Sequence, residues 1–277
     1  MKPERSYIFN AGLPRSGSTL LSAILNQNPS IHAAVSSPVC SLMRGTESIL
    51  EGDDATACSK PGVHQRLVSE IPETYYSDRA EPVIVDKSRD WLGSIDLIKR
   101  HITSAPKIIC TVRHPVEIVA SFIEVIERSS AVSQIDQALI AAKIAPTTRT
   151  RCDALLCRIG PVGISLSSLE KALTAGNGEF IHFIDYDNLI DAPVAEMRSL
   201  YGFLGLDPFS HDFDNIAVSA PSNDAEAYGI VGLHTIRRSL GKRLRNAGDV
   251  LPSKVFEELS GYRLPWLQAV EPEFAAS

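Results

Sequence analysis

Short apolar runs alternate with longer stretches of helical period along most of the chain. Tyr7-Ile8-Phe9 opens a buried strand that ends at Ala11-Gly12. After a turn, Leu20, Leu21, Ile24 and Leu25 recur at helical spacing over residues 19–25, and Asn26 to Pro29 stop that helix. Between about Val35 and Tyr76 the period is weak, which predicts helices with mobile joints around Glu51 to Asp54. Residues 82–85 form a second strand, and Asp90 is the expected N-cap of a helix carrying Trp91, Ile95 and Ile98. Residues 107–112 are a third strand, followed by a helix with Val116, Val119, Ala120, Ile123 and Ile126 on its apolar side. From Ser133 to Thr174 the pattern is mostly helical, interrupted at Gly160 to Gly163. Residues 180–184 read as a fourth strand and 191–204 as an amphipathic helix with Pro193 in its first turn. Residues 210–245 are loop-rich. Strands alternating with helices predict an α/β fold whose parallel sheet is covered by helices on both faces, with ligands at the carboxyl ends of the strands.

The length of 277 residues suits one large α/β domain spanning residues 1–277. A net charge of −6 argues against a nucleic-acid or anionic-membrane binder, since both reward a basic surface. The five cysteines, Cys40, Cys58, Cys110, Cys152 and Cys157, form no CxxC pair and are expected to be reduced thiols of a cytoplasmic protein. No stretch reads as long and apolar enough to cross a membrane. The charged start, Met1 to Arg5, running straight into a strand, leaves no room for a signal peptide. A homodimer stays open.

The turn after the first strand carries the chemistry. Gly12-Leu-Pro-Arg15-Ser16-Gly17-Ser18-Thr19 nearly matches the GxxxxGK[ST] loop of ATP and GTP enzymes, but Ser18 stands where that loop has its Lys. Glycines let several N–H groups curl toward one anion, and the following helix adds a positive field. Arg15 is the loop's cation. A second constellation is Arg113 at the end of the third strand, with Ser121 about two turns into the next helix, where both can face one phosphate.

Gly12 to Leu21 resembles the 5'-phosphosulfate loop of sulfotransferases that use 3'-phosphoadenosine 5'-phosphosulfate (PAPS), with Arg as in their tyrosylprotein and bacterial branches. Arg113 and Ser121 are similar to the family's 3'-phosphate motif, and the segment around Tyr186 to its strand-plus-Tyr segment. The resemblance implies a P-loop-like sheet with helical segments covering an acceptor pocket. It also implies that Arg15, Ser16, Gly17, Ser18, Thr19, Leu20, Arg113, Ser121 and Tyr186 hold PAPS. The basic run from His234 to Arg245 takes the place of the nucleotide-capping loop, with Arg237 or Arg238 as the contact.

Val83-Ile-Val-Asp86-Lys87-Ser88 resembles the acid-Lys-Ser/Thr run of heparan-type sulfotransferases. It implies Asp86 as the general base and Lys87, with Arg15, as electrostatic stabilisers of the bridging oxygen. His32 is the second choice of base. An apolar strand ending in Asp is also the pattern that holds Mg²⁺ in kinases, and Asp86 can equally be structural. The implied reaction moves a sulfuryl group from PAPS to a hydroxyl of a small molecule, leaves 3'-phosphoadenosine 5'-phosphate (PAP), and requires no metal. A small-molecule kinase, or a nucleotide-binding protein without turnover, is the alternative.

Overall fold

The structure, a computed structural model, describes residues 5–52, 58, 60, 62–217, 223–236, 238–241 and 245–269. Five strands form one sheet: β1 (Ser6–Asn10), β2 (Ile31–Ala33), β3 (Val83–Lys87), β4 (Lys107–Val112) and β5 (Ile181–Asp185). Their order is β2-β3-β1-β4-β5 and every pairing is parallel. The central strand β1 runs beside β3 on one edge and β4 on the other, with Asn10 level with Lys87 and Ile109. The turns leaving these three strands therefore converge at one end of the sheet, where the strand order reverses.

Period-two alternation sorts the strand residues into two cores. Phe9, Ile84, Ile108 and Cys110 face one side, with Trp91, Ile118 and Phe122 packed against them. Ile8, Val83, Val85 and Ile109 face the other, against Leu21, Ile24 and Leu200. Trp91 is fully buried with its ring edge-on to Phe9 at 4.7 Å.

The second face is covered by α1 (Ser18–Leu25) and α10 (Pro193–Leu204), the latter preceded by the short α9 (Tyr186–Asp191). The first face carries α2 (Val39–Leu50), α3 (Val63–Tyr75), α4 (Ile95–His101) and the long α5 (Pro115–Arg128). Over α5 lie α6 (Gln134–Ala141), α7 (Thr148–Leu156) and α8 (Pro161–Thr174), followed later in the chain by α11 (Asp224–Tyr228), α12 (Ser253–Ser260) and α13 (Pro265–Ala269).

Three expectations change. The strand β2 was not anticipated: Ile31-His32-Ala33 is too short to show a period, and its pairing to β3 makes it a strand. Ser88, not Asp90, caps the segment after β3, its Oγ accepting from the Asp90 N–H; a 3-10 turn over Arg89–Gly93 then leads into α4. One stretch, Thr148–Thr174, does reach the length and apolar composition of a membrane span. A break at residues 157–160 divides it into α7 and α8, with Gly160 capping α8 and Pro161 in its first turn. All five cysteines are free.

Candidate active site

The turn from β1 into α1 is held in a conformation that few sequences tolerate. Gly17 sits at φ 89°, and Arg15, which has a side chain, at φ 59°. A Cβ on Gly12 would overlap the Thr111 side chain on β4, and one on Gly17 would come within 2.7 Å of the Tyr186 ring. The Ser16 hydroxyl is fully buried, 2.5 Å from the Leu13 carbonyl, 2.8 Å from the Thr111 carbonyl and 2.7 Å from Thr111 Oγ1. Its single proton serves one carbonyl while Thr111 can donate to it in turn. Ser16 thus ties the turn to β4, and its side chain is directed into the protein. The helix that starts here has Gly17 as N-cap, no side-chain cap and no acidic residue in its first turn. Its first N–H groups are open to an anion.

A cavity of about 1350 Å³ opens at this end of the sheet. Arg15, Gly17, Ser18, Thr19 and Leu20 line it from the turn, and Arg113, Ser121 and Tyr186 from beyond β4 and β5. The Arg113 guanidinium, 7% exposed, lies over the Tyr186 ring at 4.4 Å and reaches Glu117 at 3.4 Å. Its Nε is buried without a hydrogen-bond partner among the described residues. Arg15 Nε donates to Ser121 Oγ at 3.2 Å, and its guanidinium also donates to the Leu233 carbonyl. The two expected anion sites are therefore two walls of one cavity, joined by Arg15.

Asp86 and Lys87 go to opposite sides of the sheet. Lys87 follows Val85 and lines the cavity. Burial, together with the Arg89 and Arg15 charges and against Asp224, pushes its pKa down to about 8. Asp86 follows Ile84 into the other core and is 1% exposed. It accepts from Tyr76 Oη and Trp91 Nε1, both at 2.6 Å. Burial raises its pKa, while the bonds from Ser37, Tyr76 and Trp91 hold it down. It does not line the cavity. The cavity wall therefore holds Lys87 and not Asp86, whose two oxygens each accept a bond from the core. His32 stands edge-on to Tyr76 at 5.7 Å, behind Asp86, and lies outside the cavity wall as well.

The residues that cover the cavity come from the loop-rich part of the chain. A short segment from α11 to residue 236 docks on the end of α5: Gln134 Nε2 donates to the Ala227 carbonyl at 2.5 Å, and the Val231 N–H donates to Ser129 Oγ at 3.2 Å. Within it, His234 lines the cavity and bonds Asp224 twice, through Nδ1 at 2.6 Å and the backbone N–H at 2.8 Å. An imidazole that donates from Nδ1 to a carboxylate keeps its Nε2 lone pair available. Burial lowers its pKa, Asp224 raises it, and the charges of Lys87 and Arg15 lower it further.

A family model described as Sulfotransferase family matches residues 7–211, well over half of the chain. This chain belongs to the sulfotransferase family. Its activity class is therefore sulfuryl transfer. The five-stranded parallel sheet also has likenesses among solved sulfotransferases. The sulfotransferase domain from the curacin biosynthetic pathway is 18% identical, with a TM-score of 0.48 over 94% of this chain and 92% of that one. A sulfotransferase from Alicyclobacillus acidocaldarius is 18% identical, with a TM-score of 0.45 over 80% and 88%. The sulfotransferase domain of the Synechococcus PCC 7002 olefin synthase is 19% identical, with a TM-score of 0.43 over 95% and 97%. Likenesses this distant assign no residue a role. No curated protein matches the sequence.

In this sulfotransferase the sequence-predicted residues Arg15, Gly17 to Leu20, Lys87, Arg113, Ser121 and Tyr186 share one cavity wall. Ser16 supports the turn from behind. Arg237 lies outside the described residues, and Arg238 is exposed and away from the wall, its carbonyl accepting from the Ile216 N–H at 2.7 Å. Sequence reasoning missed the pair of His234 and Asp224. Two polar residues ten apart in a loop show no period, and only an Asp and a His within one loop-rich stretch hinted at it.

The assignment of Asp86 to the core has a direct test. Asn can accept from Tyr76 or from Trp91, and its amide would then meet the other donor. Asp86→Asn should lower the free energy of unfolding by about 1.5–3 kcal/mol for each charge-assisted bond lost, read by urea denaturation. An unchanged denaturation midpoint with turnover abolished would return Asp86 to the chemistry.

Proposed function

We propose that the protein transfers the sulfuryl group of PAPS to a hydroxyl of a small-molecule acceptor, with the whole chain acting as one catalytic domain. The observation that carries this reading is the meeting of three features in one cavity: the open helix end with Arg15, the Arg113–Ser121–Tyr186 wall, and Lys87 beside His234. The residue set fits the donor. Arg113 has a buried Nε with no hydrogen-bond partner among the described residues, and α1 begins without a side-chain cap or acidic residue. Bound PAPS supplies an activated sulfuryl group and leaves as PAP.

In this reading the amides of Gly17 to Thr19 and the Arg15 guanidinium hold the 5' end, while Arg113 and Ser121 hold the 3'-phosphate. Tyr186, pinned between Gly17 and Arg113, orients both. Lys87 donates to the bridging oxygen as charge builds there, in a setting where water is largely excluded. His234 Nε2 takes the acceptor's proton, and Asp224 holds the imidazole in the tautomer that leaves this nitrogen open. The Asp224 carboxylate then faces an imidazolium, a charge-assisted pair at 2.6 Å that favours the proton's transfer.

The charges give the reaction a pH signature. Lys87 must be protonated and His234 neutral. Plotted as kcat/KM, the rate should fall on the alkaline side near pH 8, where free Lys87 loses its proton, and on the acid side below the ordinary His value of 6.5. A bound anionic donor offsets the repulsion from Arg89 and Arg15, so the alkaline limb of kcat should lie at higher pH than that of kcat/KM. His234→Ala should lose on the order of 10²–10⁴ in kcat together with the acid limb, at nearly constant PAP affinity. An acid limb that survives this substitution would place the base elsewhere.

Arg113→Ala tests the donor wall. PAP affinity, measured by calorimetry, should fall by roughly 1.5–3 kcal/mol, the worth of a charge-assisted contact. Adenosine carrying only a 5'-phosphate should bind nearly as before. Equal losses for both nucleotides would mean that Arg113 supports the fold instead.

A further inference from the structure

The cavity has two halves of different chemistry. The donor half is dense in cations and hydroxyls. From Ser121 the wall continues along one stripe of α5 through Val125 to Arg128, a run of about 10 Å at the helical rise. Across from that stripe stand Ile135 and Leu139 of α6, then Ile144, Ile159 and Ile164 around α7 and α8. Charged side chains also line this half: Glu124 of α5 is buried in its wall with exposed Arg128 3.9 Å away, and exposed Asp153 pairs with Arg149 at 3.1 Å.

The mouth of this half leaves large apolar side chains in water. Ile144 is 45% exposed, Ile159 81%, Ile164 46% and Val231 54%, and all four line the same cavity. A single exposed isoleucine is ordinary, but a cluster around one opening that is rimmed by polar groups marks a surface that something apolar covers. The half is continuous with the site of Lys87 and His234, so its occupant must present a hydroxyl there. A sugar would bring several hydroxyls against Val125, Leu139 and Ile164, where burying them without partners is costly. A single phenol ring would leave most of the 10 Å run wet.

Resting on the sulfuryl-transfer reading, we infer that the acceptor is an alcohol at the end of a long unbranched apolar chain. Its hydroxyl sits between Lys87 and His234, and its chain lies along the α5 stripe toward Ile164 and Ile159. The hydroxyl oxygen forms the new bond to sulfur, its proton goes to His234 Nε2, and the bond from sulfur to the bridging oxygen breaks with its electron pair leaving on PAP.

The test uses the full chain with 1-butanol, 1-octanol and 1-dodecanol as probes. Binding to the PAP-loaded protein is read by displacement of an apolar fluorophore, turnover by transfer from labelled PAPS, and PAP binding by calorimetry. From butanol to octanol the dissociation constant should fall roughly threefold to fourfold per added methylene. Ile164→Glu, and independently Ile159→Glu, should flatten that dependence while PAP affinity stays unchanged. Normal PAP binding with a flat series, or with phenol turned over as efficiently as octanol, would overturn the acceptor class and leave sulfuryl transfer standing. A flat series together with binding to alcohol-free phosphatidylcholine vesicles would assign the apolar mouth to a bilayer surface instead. Chain-length-dependent binding without any affinity for PAP would uphold the apolar site and overturn the sulfuryl-transfer reading.

Discussion

The Ser16 hydroxyl, buried between the Leu13 carbonyl and Thr111, fixes the relation between the two cationic walls of the cavity. On one side of it the chain turns through positive φ at Arg15 and Gly17 and releases α1 with its first N–H groups open. On the other side, two residues after Thr111, β4 has ended and Arg113 swings over Tyr186. Tyr186 in turn closes on the bare face of Gly17, where a Cβ would collide with it. A loop of this strain persists because hydrogen bonds to a neighbouring strand over-determine it. The result is a pair of cationic groups whose separation is set by the sheet and not by flexible side chains.

Positive charge gathered this closely works against itself until an anion arrives. Arg89 and Arg15 already pull the Lys87 pKa down to about 8, and Lys87 and Arg15 help to lower that of His234. The two effects differ in sense: the lowered His234 pKa favours the neutral imidazole that the proposed transfer needs, whereas the lowered Lys87 pKa works against the protonated lysine until the negative charge of a bound donor restores it. Asp224 is the counterweight, raising both groups' affinity for a proton and fixing the His234 tautomer. Asp86, although adjacent in sequence to Lys87, belongs to a separate buried network with Tyr76, Trp91 and Ser37 that anchors the carboxyl end of β3 from behind.

The parts of the site that were legible in the sequence are those governed by local rules. The turn after β1 shows its glycines and its Arg in one run, and Arg113 and Ser121 follow from a strand end and a helical period. The opposite destinations of Asp86 and Lys87 also follow from a local rule, since alternation along β3 puts Asp86 with Ile84 and Lys87 with Val85. The expected roles of the two came from the resemblance of the Asp86-Lys87-Ser88 run, which carries no information about which face of the sheet each side chain takes. The strand β2 was too short to carry a period, and its identity comes from pairing with β3. The pairing of His234 with Asp224 depends on how a loop docks against Ser129 and Gln134, a tertiary event without a sequence signature.

The central claim is that the two anion-facing walls serve one nucleotide bearing phosphates at both its 3' and 5' ends. Calorimetric titration of the full chain with PAP, ADP and ATP, each with and without Mg²⁺, tests it most directly. PAP should bind far more tightly than ADP or ATP, and Mg²⁺ should leave that order unchanged. Comparable affinity for ATP, rising with Mg²⁺, would contradict the claim and point to phosphoryl transfer instead.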